Sequence, residues 1–307
     1  MAGPAHRDFL DPAVLARLSR LTLGARFPMV GSVTGLHRSA TRGASVEFAE
    51  YRKYAPGDDI RHVDWRVYAR TDRFFMKEFE ADTNLRCQIV VDTSASMGFA
   101  SGRGTKFEFA RRLAAALAYL LGRQGDAVGL TCFAEKAVVD IPARRSPAHL
   151  SHVFDALAAA RPAGSTAVVP ALHLLAEKLR RRALVIVLSD CFEEADALLG
   201  AFRHLHYQKH DLAVFHVLDR QELAFDFDRP IRFADLESPF EIVTDPAVIA
   251  SAYRKELDGW LAAVQRGSRE FGVDYRRVAT DADYEQVLAE FLLQRQRPTS
   301  AAGGGRR

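Results

Sequence analysis

Apolar runs of strand length alternate with amphipathic stretches and predict an α/β fold. The expected architecture is a doubly wound, mainly parallel sheet with helices on both faces, plus an N-terminal β-rich segment. LRCQIVVD (85–92), DAVGLTCF (126–133), ALVIVLSD (183–190) and LAVFHVL (212–218) are almost continuously apolar, as strands covered on both faces must be. Between them, KFEFARRLAAALAYLLGR (106–123) and VPALHLLAEKLR (169–180) place apolar residues at helical spacing. Before residue 85 the texture changes: SVEFAEYRKY, APGDD, IRHVDWRVYAR and RFFMKEFEAD are short β-rich stretches punctuated by Gly and Pro.

The remaining elements complete that pattern. AVVDI (137–141) reads as a strand, followed by a helix from about Pro147 to Ala160. A helix near 195–209 precedes the strand at 212–218. The last third adds a long helix from about Pro246 to Phe271, the strand VDYRRV, and a final helix from Tyr284 to Gln296. Three regions result: an N-terminal helix with the β-rich segment (1–84), the α/β domain (85–296) and a Pro/Gly/Ser-rich tail (297–307) expected to be disordered.

Composition bounds the setting. In 307 residues, 48% hydrophobic and 26% charged, there is material for a sizeable core. A net charge of +3 is too small to argue for nucleic acid or an anionic membrane. Cys87, Cys132 and Cys191 lie far apart with no CxxC pair, which suits buried reduced thiols and a cytoplasmic location. No run nears the roughly 18 apolar residues of a membrane helix, and Leu113–Leu121 is flanked by Arg111, Arg112 and Arg123. MAGPAHRDFLD has an acid and no apolar core, so no signal peptide is expected. GxxxxGK[ST], GxSxG and HExxH do not occur, so the chain is not itself a P-loop ATPase, an elbow-type hydrolase or a zincin.

The chemistry concentrates where strands end. QIVVD (88–92) and IVLSD (186–190) are apolar runs that each finish on an aspartate. In a doubly wound sheet, ligands bind at the carboxyl ends of strands where strand order reverses. If both strands are central, Asp92 and Asp190 share one rim, where two bare carboxylates repel and are costly to desolvate. A cation removes that cost. Ser94 and Ser96 supply hydroxyl oxygens beside Asp92, and the turn GSTAVVPAL (164–172) brings Thr166. This all-oxygen set suits a hard ion, Mg2+ first, with Mn2+ or Ca2+ as alternatives. Each piece alone also reads as helix-cap or turn chemistry, and Thr166 as a plain N-cap.

In that order, DTSAS, GST and a later strand-terminal Asp resemble the metal-ion-dependent adhesion site of von Willebrand factor A domains. The stretch EFAEYRKYAPGDDIRHVDWRVYAR (47–70) resembles the signature of a large bacterial family of unknown function, whose genes commonly sit beside those of MoxR-type AAA+ ATPases. The resemblance implies a von Willebrand A-like domain that holds a metal through Asp92, Ser94, Ser96, Thr166 and Asp190. It implies a role beside the ATPase in assembly or metal insertion of other proteins. SDCF stands where TDG is commoner: Asp190 is kept, the glycine turn is lost, and Cys191 adjoins the site.

Within the signature, Tyr51, Arg52, Tyr54, Pro56, Gly57, Asp58, Asp59, Arg61, Asp64, Trp65, Arg66 and Arg70 crowd acids, bases and aromatics together. Residues 35–84 hold nine Lys/Arg and nine Asp/Glu, so the basic excess of a nucleic-acid surface is missing. Arginine–carboxylate pairs capped by aromatics make a structural latch or a docking surface for the ATPase. His149, His152, His204, His206 and His210 lack a ligand-like arrangement and read as surface or capping residues. The function expected is non-enzymatic: an adaptor or co-chaperone whose metal is completed by an acidic residue of a client protein, with no nucleic acid and no membrane insertion. The alternative is a Mg2+-dependent phosphotransferase or phosphatase using Asp92, but that chemistry wants a carboxylate two residues on, where Ser94 stands.

Overall fold

The computed structural model describes residues 7–24, 47–53, 65–71, 75–80, 85–102 and 104–296. It divides into two compact units, 25–85 on one side and 1–24 with 86–307 on the other. The first 24 residues therefore group with the α/β domain, not with the β-rich segment as a boundary at 84 had placed them. The reason is apolar contact. Leu15, Leu18 and Leu23 are buried, and Leu23 exchanges backbone hydrogen bonds with the Gln124 side chain at 2.8 and 3.2 Å.

In the smaller unit, β1 (Glu47–Lys53) pairs antiparallel with β2 (Phe75–Glu80), with a bulge between Phe48 and Glu50. The stretch IRHVDWRVYAR was expected to be β-like, but its second half is a helix, α2 (Trp65–Thr71). Trp65 and Tyr68, three residues apart, meet edge to face at 6.1 Å, a neighbour relation that helical spacing creates and a strand does not. Of the signature, Tyr51 and Arg52 lie in β1 opposite Lys77 and Met76, and Trp65, Arg66 and Arg70 lie in α2. Trp65 and Arg70 are exposed. Tyr54, Pro56, Gly57, Asp58, Asp59, Arg61 and Asp64 lie outside the described residues, as does the tail 297–307.

The larger unit begins with α1 (Pro12–Leu18), capped by Asp11. Its centre is a six-stranded sheet of β3 (Arg86–Asp92), β4 (Ala127–Phe133), β5 (Ala137–Arg144), β6 (Leu184–Ser189), β7 (Asp211–Leu218) and β10 (Asp274–Ala279). The spatial order is β10-β7-β6-β3-β4-β5, with every pairing parallel except β4–β5. The chain leaves β3 toward β4 on one side and returns to β6 on the other. Strand order therefore reverses between β3 and β6, which places a crevice at their carboxyl ends.

The helices are α3 (Lys106–Arg123), α4 (Pro147–Ala159), α5 (Val168–Lys178), α6 (Ala195–Tyr207), the short α7 (Arg220–Ala224), α8 (Pro246–Glu270) and α9 (Tyr284–Gln296). The helix α3 is the most deeply buried element outside the sheet, from Phe107 through Leu121. It starts with a capping box in which Thr105 and Glu108 satisfy each other's backbone N–H groups. Between α7 and α8 lies a hairpin absent from the sequence reading, β8 (Ile231–Ala234) with β9 (Glu241–Thr244). Among the described residues no helix is long and apolar enough to cross a membrane.

At the opposite, amino-terminal edge of the sheet, Arg295 of α9 is fully buried between two strand-initial carboxylates. It donates to Asp211 at 2.9 and 3.3 Å and to Asp274 at 3.1 Å. Removing Arg295 takes the guanidinium away from the buried Asp211, whereas Asp274 keeps Arg276 at 3.1 Å. Arg295→Met is expected to cost about 3–5 kcal/mol in chemical denaturation. Arg17→Met, which breaks an exposed pair with Glu285, is expected to shift the midpoint far less.

Candidate metal centre

Asp92 closes β3 and is completely buried. One of its oxygens accepts from the Ser94 backbone N–H at 2.9 Å and the other from the Ser189 hydroxyl at 2.6 Å. The parallel register sets Val91 beside Leu188, so Asp92 and the segment Ser189–Asp190 meet at one rim. Burial first, and the Asp190 charge second, push the Asp92 carboxyl well above its ordinary range, against the pull of its hydrogen bonds from Ser189 and Ser94.

A row of hydroxyls runs outward from this point. Ser94 Oγ lies 3.0 Å from Ser96 Oγ, and Ser96 Oγ lies 3.5 Å from Thr166 Oγ1. Local backbone bonds hold the row together. Ala95 N–H donates to Gly164 O and Ala163 N–H to Thr93 O, each at 2.8 Å, so the GST turn is laced to the loop after β3. Gly164 has φ +79°, a conformation a side chain resists, and this turn delivers Thr166. Thr166 is not the cap of α5: Ala167 occupies that position and no side chain caps it.

Asp190 reaches the same rim but has a partner. Lys106, the first residue of α3, is fully buried; its ammonium donates to Asp190 at 2.8 Å and to Glu222 at 2.6 Å. Phe192 and Phe99 flank it, with ring centroids 5.2 and 6.0 Å from Nζ. The opposing charges hold Lys106 above its ordinary value although burial acts against them. The second Asp190 oxygen is buried with no hydrogen-bond partner.

The turn after β6 keeps the path a glycine would take. Cys191 has φ +53°, and its N–H donates back to Ser189 Oγ at 2.9 Å, orienting the hydroxyl that Asp92 accepts from. The Cys191 thiol is buried, and desolvation raises its pKa beyond the range of a reactive thiolate.

A further carboxylate comes from the β8–β9 turn. Glu237 accepts from Thr166 N–H and from Thr166 Oγ1, each at 2.6 Å, and from Ser96 N–H at 3.4 Å. Burial opposes its charge, but these donors outweigh burial and hold it below the ordinary range. Glu193 is held above its ordinary range, by burial first and by the Glu237 charge.

The geometry brings Asp92, Ser94, Ser96 and Thr166 into one hydrogen-bonded row, with Asp190 adjoining through Ser189. Lys106, Ser189 and Glu237 were missed by the sequence reading. Lys106 had a signal, since a lysine in the first turn of a helix opposes the dipole and needs a compensating acid. Glu237 had none, lying 71 residues beyond Thr166 in a polar turn. The residues fit a hard cation: neutral hydroxyls beside a destabilised carboxylate, an orphaned buried carboxylate oxygen, and acids outnumbering the ammonium that Asp190 and Glu222 already share. Among the described residues there is no cluster of three or more His, Cys, Asp and Glu suited to a metal, so any ion here depends on the hydroxyls.

Fold and site together define an α/β domain with acidic and hydroxyl side chains gathered at the switch point of its sheet. The chain belongs to the DUF58 family, described as protein of unknown function, which it matches over residues 50–268. Uncharacterised proteins of Mycobacterium tuberculosis and Mycobacterium bovis are each 28% identical over 300 residues, covering 94% of this chain and 92% of theirs. Among solved structures, the conserved hypothetical protein BatB from Bacteroides thetaiotaomicron is 16% identical with a TM-score of 0.47, covering 69% of this chain and 99% of its own. An aerotolerance-related membrane protein from Bacteroides fragilis is 20% identical with a TM-score of 0.44, covering 69% and 100%.

Two expectations follow. Cys191→Gly relieves a left-handed φ but loses a small buried side chain, so its stability stays within about 1 kcal/mol of wild type, whereas Cys191→Val loses clearly more. The second concerns Asp92, whose raised pKa means that the folded chain holds a proton the unfolded chain releases. In chelator, Asp92 therefore costs stability as pH rises from the ordinary carboxylate value of about 4 through the raised one. Asp92→Asn gains on wild type over that window, and excess Mg2+ closes the gap; denaturation midpoints at several pH values read both effects.

Proposed function

We propose that this chain is a von Willebrand A-like, metal-dependent protein-interaction module, an adaptor or co-chaperone serving a MoxR-type AAA+ ATPase in the assembly or maturation of other proteins. The observation that carries the reading is the row Asp92–Ser94–Ser96–Thr166 at the switch point, beside the orphaned oxygen of Asp190.

Asp92 would be the principal ligand of Mg2+, or of Mn2+ or Ca2+, with Ser94, Ser96 and Thr166 supplying neutral oxygens and Asp190 acting directly or through water. Bound there, the ion supplies a Lewis-acidic position that an acidic residue of a client completes. The protein's own part is to hold and orient. Ser189 fixes the Asp92 carboxylate, the GST turn holds Thr166 against Ser96, and Lys106 pairs with Asp190 inside the fold. Leu236, Phe240, Ile242 and Val243 on the neighbouring hairpin are exposed apolar residues of the kind that interaction surfaces use. The ATPase partnership rests on the signature in residues 47–70. A cytoplasmic location suits three free, buried thiols.

The test is a pull-down of purified MoxR-type ATPase in Mg2+ and in chelator, with wild type, Asp92→Ala and Ser96→Ala, each checked for folding by circular dichroism. Capture is expected with wild type in Mg2+ only and at least tenfold weaker with both variants. Capture unchanged by chelator and by both substitutions would remove the metal from the mechanism. Magnesium-dependent turnover of an aryl phosphate, abolished in Asp92→Asn, would favour the phosphotransferase alternative.

A further inference from the structure

We infer that the β8–β9 hairpin is a tethered ligand of this site: Glu237 occupies the place of the client's acidic residue, so an incoming acidic segment has to displace it. The inference rests on the metal-dependent reading above and assigns that site an internal competitor.

Three features carry it. The first is chemical identity. The group lying across Ser96 and Thr166 is a carboxylate, and it takes the Thr166 N–H, the Thr166 hydroxyl and the Ser96 N–H together. A client aspartate or glutamate arriving at the hydroxyl row would need the same donors.

The second is the way the turn is built. Asp235 N–H donates to Phe240 O at 2.9 Å, and Glu237 N–H donates to Asp235 Oδ1 at 2.9 Å. Ser238 Oγ also donates to Asp235. The turn organises itself without the site and presents Glu237 at its tip.

The third is unequal anchoring. The hairpin has two short strands and, among the described residues, pairs with no other strand, an arrangement marginal by itself. Its root is held by aromatics: Phe233 stacks on Phe225 at 5.5 Å and meets Phe227 at 5.4 Å, and Phe225 stacks on Tyr253 at 4.2 Å. At its tip, Leu236 and Phe240 on either side of Glu237 stay exposed. Polar bonds to Thr166 and Ser96 fasten the tip, and such bonds exchange for those of another carboxylate. The root keeps the hairpin in place when the tip lets go.

The test uses the full chain, Mg2+ and a capped peptide copying residues 235–239, Asp-Leu-Glu-Ser-Pro, followed by saturation-transfer NMR. Mg2+ occupancy is measured separately by calorimetry. Wild type is expected not to bind the peptide, because its own tip is present at high effective concentration. Glu237→Gln is expected to bind it in Mg2+, to lose it in chelator, and to ignore a peptide carrying Gln in place of Glu. Amide exchange over residues 231–244 is expected to rise at least about tenfold in Glu237→Gln, the loss of one charge-assisted hydrogen bond. Equal binding by both chains, or by neither while Mg2+ is bound, would overturn the inference and leave the metal reading standing. Absence of Mg2+ binding in both chains would overturn both. Glu237→Asp, which keeps the charge but shortens its reach, is expected to fall between the two chains.

Discussion

Two carboxylates brought to the same rim of a parallel sheet set the terms for everything around them. Asp92 ends β3, Asp190 follows the neighbouring β6, and both are fully buried. Removing one ionised carboxylate from water costs several kcal/mol before any partner is counted, and a second adds repulsion. The fold answers the two charges differently. Asp190 receives a permanent cation, Lys106, delivered by the helix that crosses the sheet. Asp92 receives only hydrogen-bond donors, Ser94 N–H and Ser189 Oγ, and its pKa stays high. What is left over is one buried carboxylate that is unfavourable as an anion unless positive charge arrives from outside.

Much of this could be read from the chain, because it depends on short-range pattern. Strands covered on both faces must be apolar throughout, so 85–92, 126–133, 183–190 and 212–218 declare themselves, and residues 88–92 and 186–190 carry their terminal aspartates into view. The same signal over-reports. β7 is also followed by an aspartate, Asp219, whose oxygens are taken by Ser101, Gln221 and Thr280 in tying three loops together. Nothing in the sequence distinguishes a strand-end aspartate that fastens loops from one left short of charge, since Thr280 and Ser101, the donors that make the difference, lie 61 and 118 residues away.

The pieces that could not be read are long-range or stereochemical. Glu237 meets Thr166 only because a two-stranded hairpin folds back over the crevice. In α2, Trp65, Val67 and Tyr68 are residue types that strands favour, while the Trp65–Tyr68 contact belongs to a helix. At residue 191 a cysteine replaces the expected glycine, and the backbone holds φ +53° regardless, so the turn survives the change of residue and carries the strain.

Charge counting links the two cations, one resident and one proposed. Because Lys106 already answers Asp190, a dication at the hydroxyl row would face Asp92 as its principal anion, with Ser94, Ser96 and Thr166 neutral. It would keep a residual positive charge at the surface-facing end of the row, and that charge selects a carboxylate over a neutral ligand. Glu237 is such a carboxylate, and three donors hold it below its ordinary pKa, so it is charged when it gets there. If Lys106 were absent, Asp190 would compete for the same dication, and the pull on an outside acid would weaken. On this reading the buried lysine, which touches no client, sets what the crevice attracts.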